Sequence, residues 1–193
     1  MNVSPTLKER VLSSAAELFY NQGIRAVGVD EIAQHAGTTK AGIYRNFESK
    51  DHLIAEWLTQ KNDQHRDWWL SIYKKHPNEP LKQLKEIING IGHALLHSSR
   101  GCPLTNSSVE LTDTDHIARS VILEHKAWIR HELKCLCKQA LIPSYPALAE
   151  MLFLLIEGAK ISTNSFESKG PAKNLAKVAN DLIEAYQFHH TTK

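Results

Sequence analysis

Val29-Asp30-Glu31-Ile32-Ala33-Gln34-His35-Ala36-Gly37-Thr38-Thr39-Lys40-Ala41-Gly42-Ile43-Tyr44-Arg45-Asn46-Phe47-Glu48-Ser49-Lys50-Asp51-His52-Leu53 reads as two short helices and the start of a long one. Asp30 and Glu31 place negative charge on a first turn, where the helix dipole favours it, and Gly37 suits a helix terminus. Thr38 or Thr39 can then cap a second helix, in which Ile43 and Phe47 fall four residues apart and define a buried edge. Two helices of about two turns joined by a glycine-containing link form a helix-turn-helix pattern. Ser49 caps the next helix, which runs from Lys50 to about Lys75.

Working outward, Thr6 to Glu9 has capping-box spacing, and Leu7, Val11, Leu12, Ala15, Ala16, Leu18 and Phe19 recur at helical steps. A first helix is expected from about Thr6 to Asn21, ended by Gly23. Downstream, turn signals near Pro77 to Pro80, Gly101 to Pro103, Pro143 to Pro146 and Lys169 to Pro171 predict helices at roughly 80–98, 103–112, 114–139, 146–167 and 171–188. No strand alternation or internal repeat is evident, so the class is all-α. The division expected is a helix-turn-helix head at 1–50 and a helical body at 51–193.

The chain has 193 residues with a formal net charge of +2, 42% hydrophobic and 23% charged, which excludes disordered and collagen-like classes. Its second-half apolar run Met151 to Ile156 is far short of the roughly 20 residues of a membrane span. Three cysteines (Cys102, Cys135, Cys137) and no signal-like N-terminus fit a reduced, cytoplasmic protein with no membrane partner. The 11 histidines make its charge more pH-sensitive than the net value suggests.

Residues 1–50 carry six basic and five acidic side chains, whereas 38–50 carry three basic (Lys40, Arg45, Lys50) and one acidic (Glu48). Positive charge is thus local to the second short helix. With its N-terminus in a major groove, Thr39 and Lys40 can reach base edges, Tyr44 and Lys50 can reach phosphates, and Arg45 can do either, with Asn46 on the same segment. Gly42 would let backbone approach the sugar-phosphate closely. The geometry alone does not imply DNA binding: a solvated short helix of a bundle, or a scaffold that binds another protein, has the same pattern.

The Ile-Ala pair before an Ala-Gly turn, the Tyr44 and Phe47 spacing, the Ser-Lys opening of the long helix and the preceding Ala-Glu-Leu-Phe helix together strongly resemble the N-terminal region of the TetR family of bacterial transcriptional regulators. The resemblance covers about residues 6–58. It implies a three-helix DNA-binding head, a long connecting helix and an all-helical body that binds a small-molecule effector and forms a homodimer reading a palindromic double-stranded DNA operator. One departure is Gly42, where many relatives carry Ser or Thr, so a hydroxyl contact to phosphate is missing.

In the body, Leu175, Val178, Ala179, Leu182, Ile183 and Tyr186 form a helical stripe, and Ala147 to Ala159 is apolar nearly all round. The dimer residues expected are Leu152, Ile156, Leu175, Val178, Leu182 and Tyr186. Candidate effector contacts are Trp57, Trp68, Trp69, His93, His97, Cys102, Trp128 and Phe153, against the ordinary alternative that large aromatics fill the core. His93 with His97, and His131 with Cys135, share helix faces as metal ligands can, but spacing fixes no further ligand, so no metal is expected. Cys102, behind Arg100 at a helix start, suits a thiolate that senses oxidants or electrophiles. No hydrolase elbow, phosphate loop, zinc-protease motif or dinucleotide fingerprint occurs, so neither catalysis nor a cofactor is expected.

Overall fold

A computed structural model describes residues 4–166 and 170–188, and among these no strand occurs. The order is α1 Leu7–Gln22, α2 Val29–His35, α3 Lys40–Tyr44, α4 Lys50–Lys75, α5 Pro80–Leu96, α6 Pro103–Glu110, α7 Ala118–Gln139, α8 Tyr145–Phe166, a 3-10 turn Pro171–Asn174, and α9 Leu175–Phe188. No helix among the described residues is long and apolar enough to cross a membrane.

Local chemistry sets the helix starts. Thr6 and Glu9 form a complete capping box on α1, and Gly23 ends it at φ +93°. Of the two threonines before α3, Thr39 is the cap: its hydroxyl accepts the Gly42 N–H at 3.1 Å. Ser49 caps α4 by accepting from His52. The expected start at 114 moves to Ala118 in α7 because the intervening chain bonds otherwise. Asp113 accepts the Asp115 N–H at 3.0 Å and His116 Nδ1 accepts the Ala118 N–H at 3.1 Å, giving these amides partners outside a helix.

Two apolar cores divide along α4. One gathers Val11, Phe19, Ile32 and Ile43 of the first three helices with Leu53, Ile54, Trp57 and Leu58, and also takes Leu104, Leu111, Ala118 and Ile122 from the body. The other packs Trp69 and Ile72 with the interior faces of α5, α7, α8 and α9. The boundary expected at residue 50 therefore falls inside one core. Each fully buried large side chain contributes about 1.5–3 kcal/mol, so the first two turns of α4 and the start of α7 are energetically part of the head. Between the cores α4 turns polar at Asn62, His65 and Arg66.

The head is also pinned by hydrogen bonds. Glu110, at the end of α6, accepts from the Ile24 N–H at 2.6 Å and the Arg25 N–H at 3.3 Å. Arg25 reaches Thr112 at 2.9 Å, and Arg100 donates to the Asn21 carbonyl. Tyr20 of α1 bonds the Ser98 hydroxyl at 3.0 Å and the Gly101 carbonyl at 3.3 Å, both in the α5–α6 connector. Gly101 itself has φ +69°, and a Cβ there would lie 2.8 Å from the Lys160 carbonyl, so both backbone conformation and close approach require glycine.

Three of the expected dimer residues are displaced from that role. Leu152 and Ile156 of α8 and Leu175 at the start of α9 lie in the body core of a single chain, packed with the interior faces of α5 and α7. The apolar surface left on α8 is instead Met151, Leu154 and Ile161, spaced along one face, with Leu154 67% exposed. Beside it, α9 exposes Val178, while Leu182 is half-buried and Tyr186 donates to Met151 Sδ at 3.5 Å.

Candidate functional site

The outer face of α3 is formed by side chains that the head core does not use. Ile43 and Phe47 point inward, which leaves Thr39, Lys40, Tyr44, Arg45 and Asn46 exposed at one end of the molecule. Lys40 is held by Asp30 at 3.3 Å, a solvated pair worth little that an anionic partner can displace. Asn46 uses its amide to donate to the Gly42 carbonyl at 3.0 Å, closing the end of α3.

Two residues expected here are turned elsewhere. Lys50 points into the head: its ammonium donates to the Ile24 carbonyl at 2.7 Å and lies 5.8 Å from the Phe19 ring centroid. Burial lowers its pKa, against support from Asp51 and Glu110. It holds the α1–α2 link, and is not available to a phosphate in this arrangement. Gly42 is buried rather than outward, and a Cβ there would meet Thr38 Oγ1 at 2.3 Å, so its missing side chain serves the tight α2–α3 turn.

The body contains a cavity of about 570 Å³ bounded by α4, α5, α8 and the α5–α6 connector. Its walls are mainly apolar, from Trp68, Ile91, Leu95 and Pro103, with Gln64, His65, His93, Ser98, Cys102 and Lys160 supplying polar groups. Such a volume is within the range that encloses a small organic molecule. Gly90 is fitted to Trp68, whose ring would stand 2.5 Å from a Cβ at that position.

Of the expected effector contacts, Trp68, His93 and Cys102 line this cavity. The others do not. Trp57 packs on Phe19 in the head core at a ring separation of 5.4 Å. Trp69 is fully buried and donates to Tyr73 at 2.7 Å, and Tyr73 donates in turn to Glu132 at 2.6 Å. Trp128 packs edge-on against Trp69, and Phe153 packs at the core margin beneath Arg130. His97 stacks on His93 at 4.4 Å without lining the cavity.

The residues overlooked from the sequence are chiefly His65 and Lys160. Lys160 directly follows the apolar tract Ala147 to Ala159, yet it is buried at the cavity and paired with Glu157 at 3.0 Å. The spacing Glu157 to Lys160, i and i+3 on a nearly apolar helix, was the available signal. His65 and His125 lie with ring centroids 5.0 Å apart. Burial, aided by Lys160, holds His65 down at about 4, and burial holds His125 lower still.

Cys102 is half-buried at the start of α6, but the guanidinium of Arg100 is engaged at Asn21, away from the dipole-and-cation setting expected for the thiol. Buried Cys137 is pushed up to about 12 by desolvation. His131 and Cys135 approach to 3.4 Å, but among the described residues no group of three or more metal-ligating side chains assembles.

These parts define an all-α helix-turn-helix protein with an exposed recognition-type helix and a hollow body. Residues 11–57 match the family described as bacterial regulatory proteins, tetR family. The chain is 32% identical over 81 residues to the HTH-type transcriptional regulator AcrR of Shigella flexneri, covering 42% of this chain and 38% of that protein. It is 28% identical over 118 residues to an uncharacterised HTH-type transcriptional regulator of Lactococcus lactis, covering 56% of each. These alignments thus span between about a third and somewhat over half of those relatives. A TetR-family transcriptional regulator from Streptomyces coelicolor superposes over 94% of both chains with a TM-score of 0.82 at 26% identity. Residues 11–57 thus match that family's N-terminal domain, and the chain as a whole resembles a TetR-family regulator in fold.

Proposed function

We propose that this protein is a homodimeric, DNA-binding transcriptional regulator, acting in the cytoplasm as a repressor that leaves a palindromic operator when a small molecule occupies the body cavity. Thr39, Lys40, Tyr44 and Arg45 would enter the major groove, and the backbone amides at the start of α3 would meet phosphate. Two such heads related by a two-fold axis read two half-sites. The exposed stripe of Met151, Leu154, Ile161 and Val178 is the surface that a second copy would cover. The reading is non-catalytic, in line with its regulatory relatives.

The observation that carries effector control is the double use of the α5–α6 connector. Ser98 and Gly101 line the cavity and also hold Tyr20 of α1. An occupant with different affinity for two connector positions shifts the population of two head orientations, and operator affinity changes by the same coupling energy. The test is selection of bound duplexes from random DNA by the full chain, followed by release assays. Failure to enrich any sequence would sink the reading.

A second reading rests on the Cys102 thiol, which lines the same cavity: modification by an electrophile would act on the connector directly. Cys102→Ser separates the two, since it abolishes electrophile-driven release and leaves reversible release intact.

A further inference from the structure

One end of the cavity is built from charge. Lys160, on α8, is 4% exposed and donates to Glu157 Oε1 at 3.0 Å, while the other oxygen of that carboxylate accepts from Lys126 of α7 at 2.5 Å. A single carboxylate is therefore shared by two ammonium groups. A third cation, Arg66 of α4, lies 5.2 Å from the Trp128 ring centroid, and its Nε is buried without a hydrogen-bond partner. Of these four groups only Lys160 lines the cavity, and no Asp or Glu is among the lining residues.

The same end holds unsatisfied polar atoms. His65 lines the cavity and its Nδ1 is buried without a partner; behind it His125 Nδ1 donates to Asn62 Oδ1 at 2.9 Å and leaves Nε2 buried and unpartnered. Buried polar groups are ordinarily bonded, and a buried ammonium beside an unpartnered imidazole nitrogen is a setting that an anionic group can complete. The remaining wall sets apolar Trp68, Ile91, Leu95 and Pro103 beside the side chains of Gln64, His93, Ser98 and Cys102, with no carboxylate among them.

We propose that the occupant of this cavity is an amphipathic organic acid, with an apolar body against Trp68 and a carboxylate received by Lys160 and His65. The proposal rests on the effector reading of the cavity and deepens it. A cationic ligand would be opposed by Lys160, which lines the cavity. A neutral alcohol would bring no charge to complement the Lys160 ammonium. Carboxylate binding also implies proton uptake. Burial and the Lys160 charge now keep His65 neutral, with a pKa of about 4, and an anion beside it opposes both effects and favours the imidazolium. The groups that set this balance are His65 and Arg66 from α4, His125 and Lys126 from α7, and Glu157 and Lys160 from α8. From α5, His93 also faces the cavity.

The experiment uses the full chain and three probes with one apolar body: decanoate, decan-1-ol and decylammonium. Binding is followed by quenching of tryptophan fluorescence and by calorimetry in buffers of different ionisation enthalpy. Decanoate is expected to bind at least about tenfold more tightly than either other probe, with net proton uptake, and more tightly at pH 6 than at pH 7.5. Lys160→Met should weaken decanoate at least about tenfold while leaving decan-1-ol unchanged, and Lys160→Arg should retain decanoate. Glu157 keeps Lys126 as a partner in either variant, and the wild-type probe series decides the matter even if Lys160→Met fails to fold. Equal or tighter binding of decan-1-ol or decylammonium, no binding of any probe at millimolar concentration, or an unchanged decanoate affinity in Lys160→Met each overturns the proposal. None of these results touches the DNA-selection experiment, on which the regulatory reading separately stands or falls.

Discussion

Replacing Glu110 with alanine removes the carboxylate that fastens the α1–α2 link of the head to α6. Its bond to the Ile24 N–H is 2.6 Å long, at a residue only 3% exposed, so water cannot easily take its place. A hydrogen bond to an ionised group contributes about 1.5–3 kcal/mol, and the longer bond at exposed Arg25 adds about 0.5 kcal/mol. Lys50, which donates to the carbonyl of the same Ile24, also loses the favourable charge of Glu110. The expected loss is about 2–3.5 kcal/mol for Glu110→Ala. Glu110→Gln, which keeps an uncharged acceptor, should lose about 1 kcal/mol. In a chain of this size each kcal/mol shifts the thermal midpoint by about 2–4 °C, so Glu110→Ala should fall by about 4–14 °C. The assay is urea and thermal unfolding by circular dichroism at one fixed protomer concentration, because association stabilises the folded form. A change below about 0.5 kcal/mol for alanine, or equal losses for alanine and glutamine, would refute the assignment of Glu110 as a charged clamp.

Lys50 and Arg45 should differ in kind: Arg45→Ala lowers the slope of log affinity against log salt by about 1, whereas Lys50→Ala lowers head stability and leaves that slope unchanged. A reduced slope in Lys50→Ala would restore it as a phosphate contact. Leu154→Glu should give a monomeric mass by light scattering with little loss of secondary structure, while Leu152→Ala should cost about 2–5 kcal/mol in unfolding because it opens the body core. If Leu154→Glu remains dimeric, the exposed α8 stripe is not the association surface. For pH, the folded pKa values of His65 and His125 lie below the unfolded value, so the unfolded chain binds more protons below about 6.5 and stability falls as pH falls from there toward about 4. Calorimetry of His65→Gln/His125→Gln should give a flatter decline of midpoint between pH 7 and 5, and an unchanged slope would contradict the assignment.

Much of the head was legible without coordinates because its signals are local. A cap acts on the amides two or three residues ahead of it, so Thr6, Thr39 and Ser49 declare helix starts within a single turn. Ile43 and Phe47 likewise name the buried edge of α3 by their spacing alone. The functional side chains were harder, because the same residue type serves inside or outside according to what packs opposite. Lys50 read as a phosphate contact, but the backbone of Ile24, 26 residues earlier, captures its ammonium. Trp57 and Trp69 read as ligand contacts, yet each is buried in one of the two cores, and Trp128 packs edge-on against Trp69.

For this protein the chain order of polar, apolar and capping residues was sufficient to specify an all-α molecule with a helix-turn-helix head and a helical body, since those periodicities depend on neighbours three and four residues apart. Tertiary packing alone decided which apolar stripe of α8 is spent inside one chain, with Leu152 and Ile156, and which is left outside with Leu154. It also placed Lys160 beside His65 in the cavity wall and brought Lys126 to the carboxylate that Lys160 uses. Those meetings join helices far apart in sequence, and burial then gives each charge a weight that no local pattern conveys.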